Sequence, residues 1–169
     1  MSLSKPAGEA EALRIARNYL SRRVHSRKEL ELYLRRRGLS GNTITRVAEA
    51  CEASGLVDDA VCAKLWAEHW ARSGFSWRII AQRLKAKGLN ARTIASASEK
   101  TSLAREDKAR ARLMAERLLA RRPTGMTREQ LSRRLSARGY DSDTIESLLD
   151  ELFQGRPSIE EEFPTQTDA

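Results

Sequence analysis

Ser26-Arg-Lys-Glu-Leu30, continuing through Leu34 to Gly38, is written three times in this chain. Ser76-Trp-Arg-Ile-Ile80 leads through Leu84 to Gly88, and Thr127-Arg-Glu-Gln-Leu131 leads through Leu135 to Gly139. The offsets are 50 and then 51 residues, and they persist beyond the glycine. Leu39, Leu89 and Tyr140 correspond, as do Ser40, Asn90 and Asp141, and then Ile44, Ile94 and Ile145. A fixed period over three copies is the signature of small units that stack because none buries enough apolar surface alone.

Each copy reads as punctuated helices. Ser26, Ser76 and Thr127 are N-caps, whose side-chain oxygens accept the free amides of a first helical turn. Glu29 and Gln130 sit where a capping box needs them, and Ile79 leaves the second unit without that half. Gly38, Gly88 and Gly139 fall where a helix ends on a left-handed residue. Ser40, Asn90 and Asp141 then cap a third helix, running to about Ala53, Ser98 and Phe153. A longer helix precedes each pair, over Glu9–Arg23, Asp59–Ser73 and Arg105–Arg122. Its expected apolar stripe is Leu13/Ala16/Leu20 in the first unit and Cys62/Leu65/Trp66/His69/Trp70 in the second. In the third it is Leu113/Met114/Leu118. The expected fold is all-α: three tandem three-helix repeats, about nine helices, stacked into an elongated, curved array. The expected divisions are a tail over 1–7, repeats over 8–57, 58–104 and 105–154, and an acidic, disordered tail over 155–169.

Composition agrees with helices. Leu and Ala supply 43 of the 169 residues, while Val and Ile supply 11 and Phe, Trp and Tyr 9. Ala and Leu lose little on entering a helix, whereas strands favour β-branched and aromatic side chains. No stretch reaches the length a membrane span needs. Met1 to Glu9 has no basic-then-apolar pattern, so a cytoplasmic location is expected.

The chemistry-bearing residues do not assemble into an active site. No serine lies in a strand–turn–helix nucleophile context, and the isolated glycines are helix stops rather than a phosphate cradle. His25, just ahead of a cap, is expected at the surface. Cys51, Cys62 and His69 lack the short spacing of structural zinc ligands and read as core. Neither catalysis, a metal nor a cofactor is expected.

Charge points to an anionic partner. Lys and Arg number 31 against 23 Asp and Glu, a net charge of +8. The cations recur by repeat position: Arg35, Arg36 and Arg37, then Arg83, Lys85 and Lys87, then Arg133, Arg134 and Arg138. One cation in a last turn offsets the helix dipole, and two or three exceed that need. The clusters form either one basic track or scattered solvated charge, because sequence does not fix the curvature of a repeat stack. Trp66 and Trp70, four apart, read as a buried face. Trp77, at a first turn and off the stripe, reads as a contact residue, with Arg78 beside it.

Gly55-Leu-Val-Asp-Asp59, then Ala63, Trp66, Arg72 and Gly74-Phe75, leading into Ile80, Leu84 and Lys87-Gly88-Leu89, resembles the core motif of the RecX regulatory proteins of bacteria. The Ser26…Glu29-Leu30…Leu34…Gly38 segment is similar to their first repeat, and the resemblance spans about residues 10–153. Cys62, Trp77 and Ile79 depart from the family's usual aromatic, proline and arginine. The resemblance implies a three-repeat helical modulator that lies in the groove of the RecA–DNA filament and limits its ATPase, strand exchange and coprotease activity. It implies a monomer whose partners are the RecA filament and single- or double-stranded DNA, without a membrane. The alternative left open is a sequence-independent DNA-binding protein built from helix-turn-helix-like units.

Overall fold

The computed structural model describes residues 8–121 and 125–154, and the two expected tails lie outside those residues. Nine α-helices occupy the described residues: α1 (Glu9–Leu20), α2 (Arg27–Arg36), α3 (Gly41–Ala53), α4 (Asp59–Arg72), α5 (Trp77–Ala86), α6 (Ala91–Thr101), α7 (Asp107–Ala120), α8 (Arg128–Ser136) and α9 (Ser142–Phe153).

Side-chain caps start most of them. Ser26, Ser76 and Thr127 accept from the amides of Glu29, Ile79 and Gln130, and Ser40, Asn90 and Asp141 accept from Thr43, Thr93 and Thr144. Only the Ser26–Glu29 pair closes a reciprocal capping box among these. The second helix of each unit ends on a glycine in the left-handed region, with φ +79° at Gly38, +84° at Gly88 and +89° at Gly139. The next residue folds back: the amides of Leu39, Leu89 and Tyr140 bond to the carbonyls of Leu34, Leu84 and Leu135. Leu39, Leu89 and Tyr140 are thereby buried, which closes each small core from below.

Three separate apolar clusters result. One centres on Leu30, Leu34, Val47 and Cys51, the next on Ile80, Leu84, Ala63 and Ala67, the last on Leu131, Leu135, Leu148 and Ala115. The long first helices pack differently from the expected stripe. Ala12 and Ala16, Ala63 and Ala67, and Ala111 and Ala115 are completely buried. Leu65 and Leu113, placed in the stripe by size, are 42% and 54% exposed, and His69 is exposed. Small side chains bring the helix axes close, so alanines take the contact line and larger residues move to its margins. α1 also ends at Leu20, short of Arg23, and Ser21 is its C-cap.

The units join end to end. The Ser26 hydroxyl at the start of α2 donates to the Lys87 carbonyl at the end of α5 (2.6 Å). The Ser76 amide at the start of α5 donates to the Arg138 carbonyl at the end of α8 (3.0 Å). The second helices of the three repeats thus meet head to tail in the order α8, α5, α2. An aspartate at the start of each following repeat finishes the joint: Asp59 accepts the Arg27 amide and Asp107 accepts the Trp77 amide, both at 2.8 Å.

Candidate interaction surface

The cations that share one sequence position do not share one environment. Arg37, Lys87 and Arg138 each precede a stop glycine. Arg37 is exposed, and its guanidinium donates to the Tyr33 hydroxyl (2.9 Å). Lys87 is folded into the first joint, where its Nζ lies 2.7 Å from Glu29 Oε1 with both side chains largely buried. Arg138 is half-buried at the second joint, donating to the Arg134 carbonyl while its own carbonyl receives Ser76. The free end of the column is therefore at α2, where Arg35, Arg36 and Arg37 face solvent.

Glu29 is the hub of the first joint. It accepts from Lys87, from Arg23 (3.2 Å) and from the Ser26 amide (3.0 Å). Burial pushes its carboxyl up, but the Lys87 and Ser26 hydrogen bonds outweigh that and hold it below the ordinary carboxylate range. Trp66 lies against this hub: Lys87 Nζ is 4.0 Å and the Arg23 guanidinium 5.3 Å from its ring centre, and its indole N–H reaches the Val24 carbonyl (3.4 Å). The ring is engaged inside the protein by two cations. Cys62 lies in the same region, and burial pushes its thiol up to about 11, so it is an unreactive apolar residue.

His25 is buried, at 4% exposure, contrary to the surface position expected from sequence. Its ring lies 3.8 Å from that of Tyr19, which stacks on Tyr33 at 4.0 Å. Cap residues are exposed when a helix start meets water, but here Ser26 meets another repeat and the Tyr19 ring of α1 packs on His25. Neither ring nitrogen makes a close hydrogen bond, and Nδ1 is 3.9 Å from Glu29 Oε2. Burial, aided by the charge of Arg23, pulls its pKa below the usual histidine value.

Trp77 is also unlike its expected role. It is half-buried and packs against the second core, as Trp66, Trp70, Phe75 and Ile94 also do. Arg83 lies flat over Phe75 (3.8 Å), and Arg78 donates from Nε to the Gly139 carbonyl (3.2 Å). Lys85, Arg133 and Arg134 are exposed. Six of the eleven candidate contact residues thus face outward without engagement at a joint: Arg35, Arg36, Arg37, Lys85, Arg133 and Arg134.

Among the described residues, no group of three His, Cys, Asp or Glu side chains could hold a metal ion, and no helix is long and apolar enough to cross a membrane. What the geometry defines is a helical repeat protein of three joined three-helix units, with exposed cations at the end of α2 and on α5 and α8.

Residues 12–51 match the family described as RecX, first three-helix domain. Across the longer chain, the regulatory protein RecX of Thermobifida fusca is 31% identical over 159 residues, covering 92% of this chain and 85% of that protein. The RecX of Mycobacterium ulcerans is 35% identical over 132 residues, 78% of this chain and 72% of its relative. The crystal structure of RecX from Lactobacillus salivarius superposes with a TM-score of 0.70 at 20% identity, over 85% of this chain and 96% of that one. This chain belongs to the RecX family of regulatory proteins.

Proposed function

We propose that the chain restrains RecA by lying along the groove of the RecA–DNA filament, limiting ATPase, strand exchange and coprotease activity. It acts by shape and charge as a cytoplasmic monomer, and its working units are residues 8–57, 58–104 and 105–154. The observation that carries this reading is the sorting of the cations. Lys87, Arg78, Arg83 and Arg138 are engaged within the protein. Arg35, Arg36, Arg37, Lys85, Arg133 and Arg134 remain exposed for phosphates or acidic side chains. Membership of the RecX family of regulatory proteins supports the same reading. Trp77, half-buried, contributes to packing more than to contact.

The test compares RecA ATPase on single-stranded DNA with direct binding to the same DNA. Inhibition at protein levels well below RecA, with weak binding to naked DNA, supports the proposal. Tight DNA binding with no effect on RecA beyond competition for DNA would favour the helix-turn-helix-like DNA-binding alternative.

A further inference from the structure

Repeat 1 carries a feature of which the filament reading uses only Arg37. A cavity of about 660 Å³ opens between α1, the segment after it, and α2. Four guanidiniums line it, from Arg14, Arg22, Arg23 and Arg37, and no carboxylate does. Arg14 and Arg23 hold acidic partners outside the cavity wall, Glu11 and Glu29. Arg37 is bonded only to the neutral Tyr33 hydroxyl, and Arg22 has no ion-pair partner among the described residues. The cavity therefore keeps uncompensated positive charge.

Its wall is rigid. Tyr33 and Tyr19 stack with 8° between their planes, and His25 packs on Tyr19 as a third ring. The stacked rings face each other, so they form a floor rather than an open slot for another ring. The cavity falls in the size range of small-molecule sites, well above what one lone anion fills. Guanidiniums bind phosphoryl oxygens through paired, charge-assisted hydrogen bonds, which makes several of them around one wet cavity suited to a ligand with more than one phosphoryl charge.

The second repeat lacks the segment that builds it. Between the C-cap Ser21 and the N-cap Ser26 lie four residues, against two between Ser73 and Ser76. The longer connection supplies Arg22, Arg23 and His25. When the buried alanines Ala12 and Ala16 are matched to Ala63 and Ala67 and to Ala111 and Ala115, Arg14 takes the position held by Leu65 and Leu113. Tyr33 takes the position of Arg83 and Arg134. Arg37 recurs as Lys87 and Arg138, and on the alanine match Arg22 and Arg23 fall at Arg121 and Arg122, so Arg14 and the Tyr19, Tyr33 and His25 rings are what set repeat 1 apart.

We propose that this pocket binds a nucleotide through its phosphates. The phosphoryl oxygens sit between Arg22, Arg37 and Arg14 above the Tyr19–Tyr33 floor. The same chemistry is offered by a free nucleoside diphosphate and by the phosphorylated end of a single DNA strand.

The experiment titrates the full chain with thymidine diphosphate, and with a short oligothymidylate carrying or lacking a 5′-phosphate. Binding is followed by calorimetry and by the NMR ring signals of Tyr19, Tyr33 and His25. Arg14→Ala/Arg22→Ala is the test variant, since Arg14 and Arg22 are exposed and outside every joint; Arg117→Ala, exposed on α7 and outside the pocket lining, is the control. The expected result is movement of the three ring signals and binding weakened about tenfold or more in the double variant, with the control unchanged. Preference for the diphosphate assigns a free nucleotide, and preference for the 5′-phosphorylated strand assigns a strand end. Ring signals that stay fixed with all three probes, or equal affinity in wild type and the double variant, overturn the proposal. RecA inhibition is measured separately, so loss of the pocket and loss of filament binding are distinguishable.

Discussion

The Ser26 hydroxyl donates to the carbonyl of Lys87, 61 residues away, so the cap that starts a helix in one repeat also finishes a helix in the next. The same residues meet again through charge, because Lys87 returns to Glu29 of the Ser26 capping box. One short sequence motif thus does two jobs, punctuating its own helix and forming the joint between units.

The stop glycines should separate into two kinds. At Gly38 an added Cβ meets nothing within 4 Å, so Gly38→Ala carries only the strain of a left-handed alanine, about 1 kcal/mol. At Gly88 the same Cβ would fall 2.3 Å from the Lys28 Cβ, an atom too near its backbone to swing away. Gly88→Ala should therefore cost about 2 kcal/mol more than Gly38→Ala. Thermal and urea melts of the two variants give the comparison, and equal losses would mean that the joint does not depend on close approach at Gly88.

Glu29→Gln should loosen the first joint, leaving Lys87 and Arg23 without a carboxylate beside Trp66, at a cost of about 2 kcal/mol. The pH dependence has a definite sign. A carboxyl held below its ordinary value of 4.5 contributes stability present above that pH and lost as pH falls through the folded-state value. Wild type should lose more stability below about pH 4.5 than Glu29→Gln does. Parallel pH profiles for the two proteins would rule out this role.

His25 works in a higher window. Its folded-state pKa lies below the ordinary value of 6.5, so the unfolded chain binds the proton first. Stability should be complete above about pH 6.5 and decline on acidification below it. Arg23, Lys87, Glu29 and Tyr19 are the titratable or charged groups around the ring; the first two oppose its protonation and Glu29 favours it. His25→Phe removes two buried nitrogens that lack close partners and puts an aromatic ring beside Tyr19. It should raise stability by about 1 kcal/mol at pH 6 and flatten the decline below pH 6.5. A melting temperature that falls on substitution would show that the imidazole has a polar role in the joint.

The helices were legible because each boundary is encoded locally. A cap such as Ser76 and a stop such as Gly88 act within one or two turns, and their 50-residue echo removes ambiguity. The joints were not legible, since nothing near Lys87 in sequence announces Glu29, and nothing near His25 announces the Tyr19 ring that packs on it. The same gap affected the long helices. Amphipathic reading ranks Leu113 above Ala111, yet close helix contact selects the smaller side chain. Among the cations, sequence spacing grouped Arg37 with Lys87, whereas the fold separates them because only the first stands at a free end.

On the proposed function, the exposed cations Arg35, Arg36 and Arg37 at the end of α2 engage a RecA filament. The most direct measurement is RecA ATPase on single-stranded DNA, titrated with wild type and with Arg35→Ala/Arg36→Ala/Arg37→Ala at two salt concentrations. The account predicts that wild type inhibits, more weakly at high salt, and that the triple variant keeps its helical content while losing most inhibition and most of the salt dependence. Inhibition curves that coincide for the two proteins at both salt concentrations would contradict it.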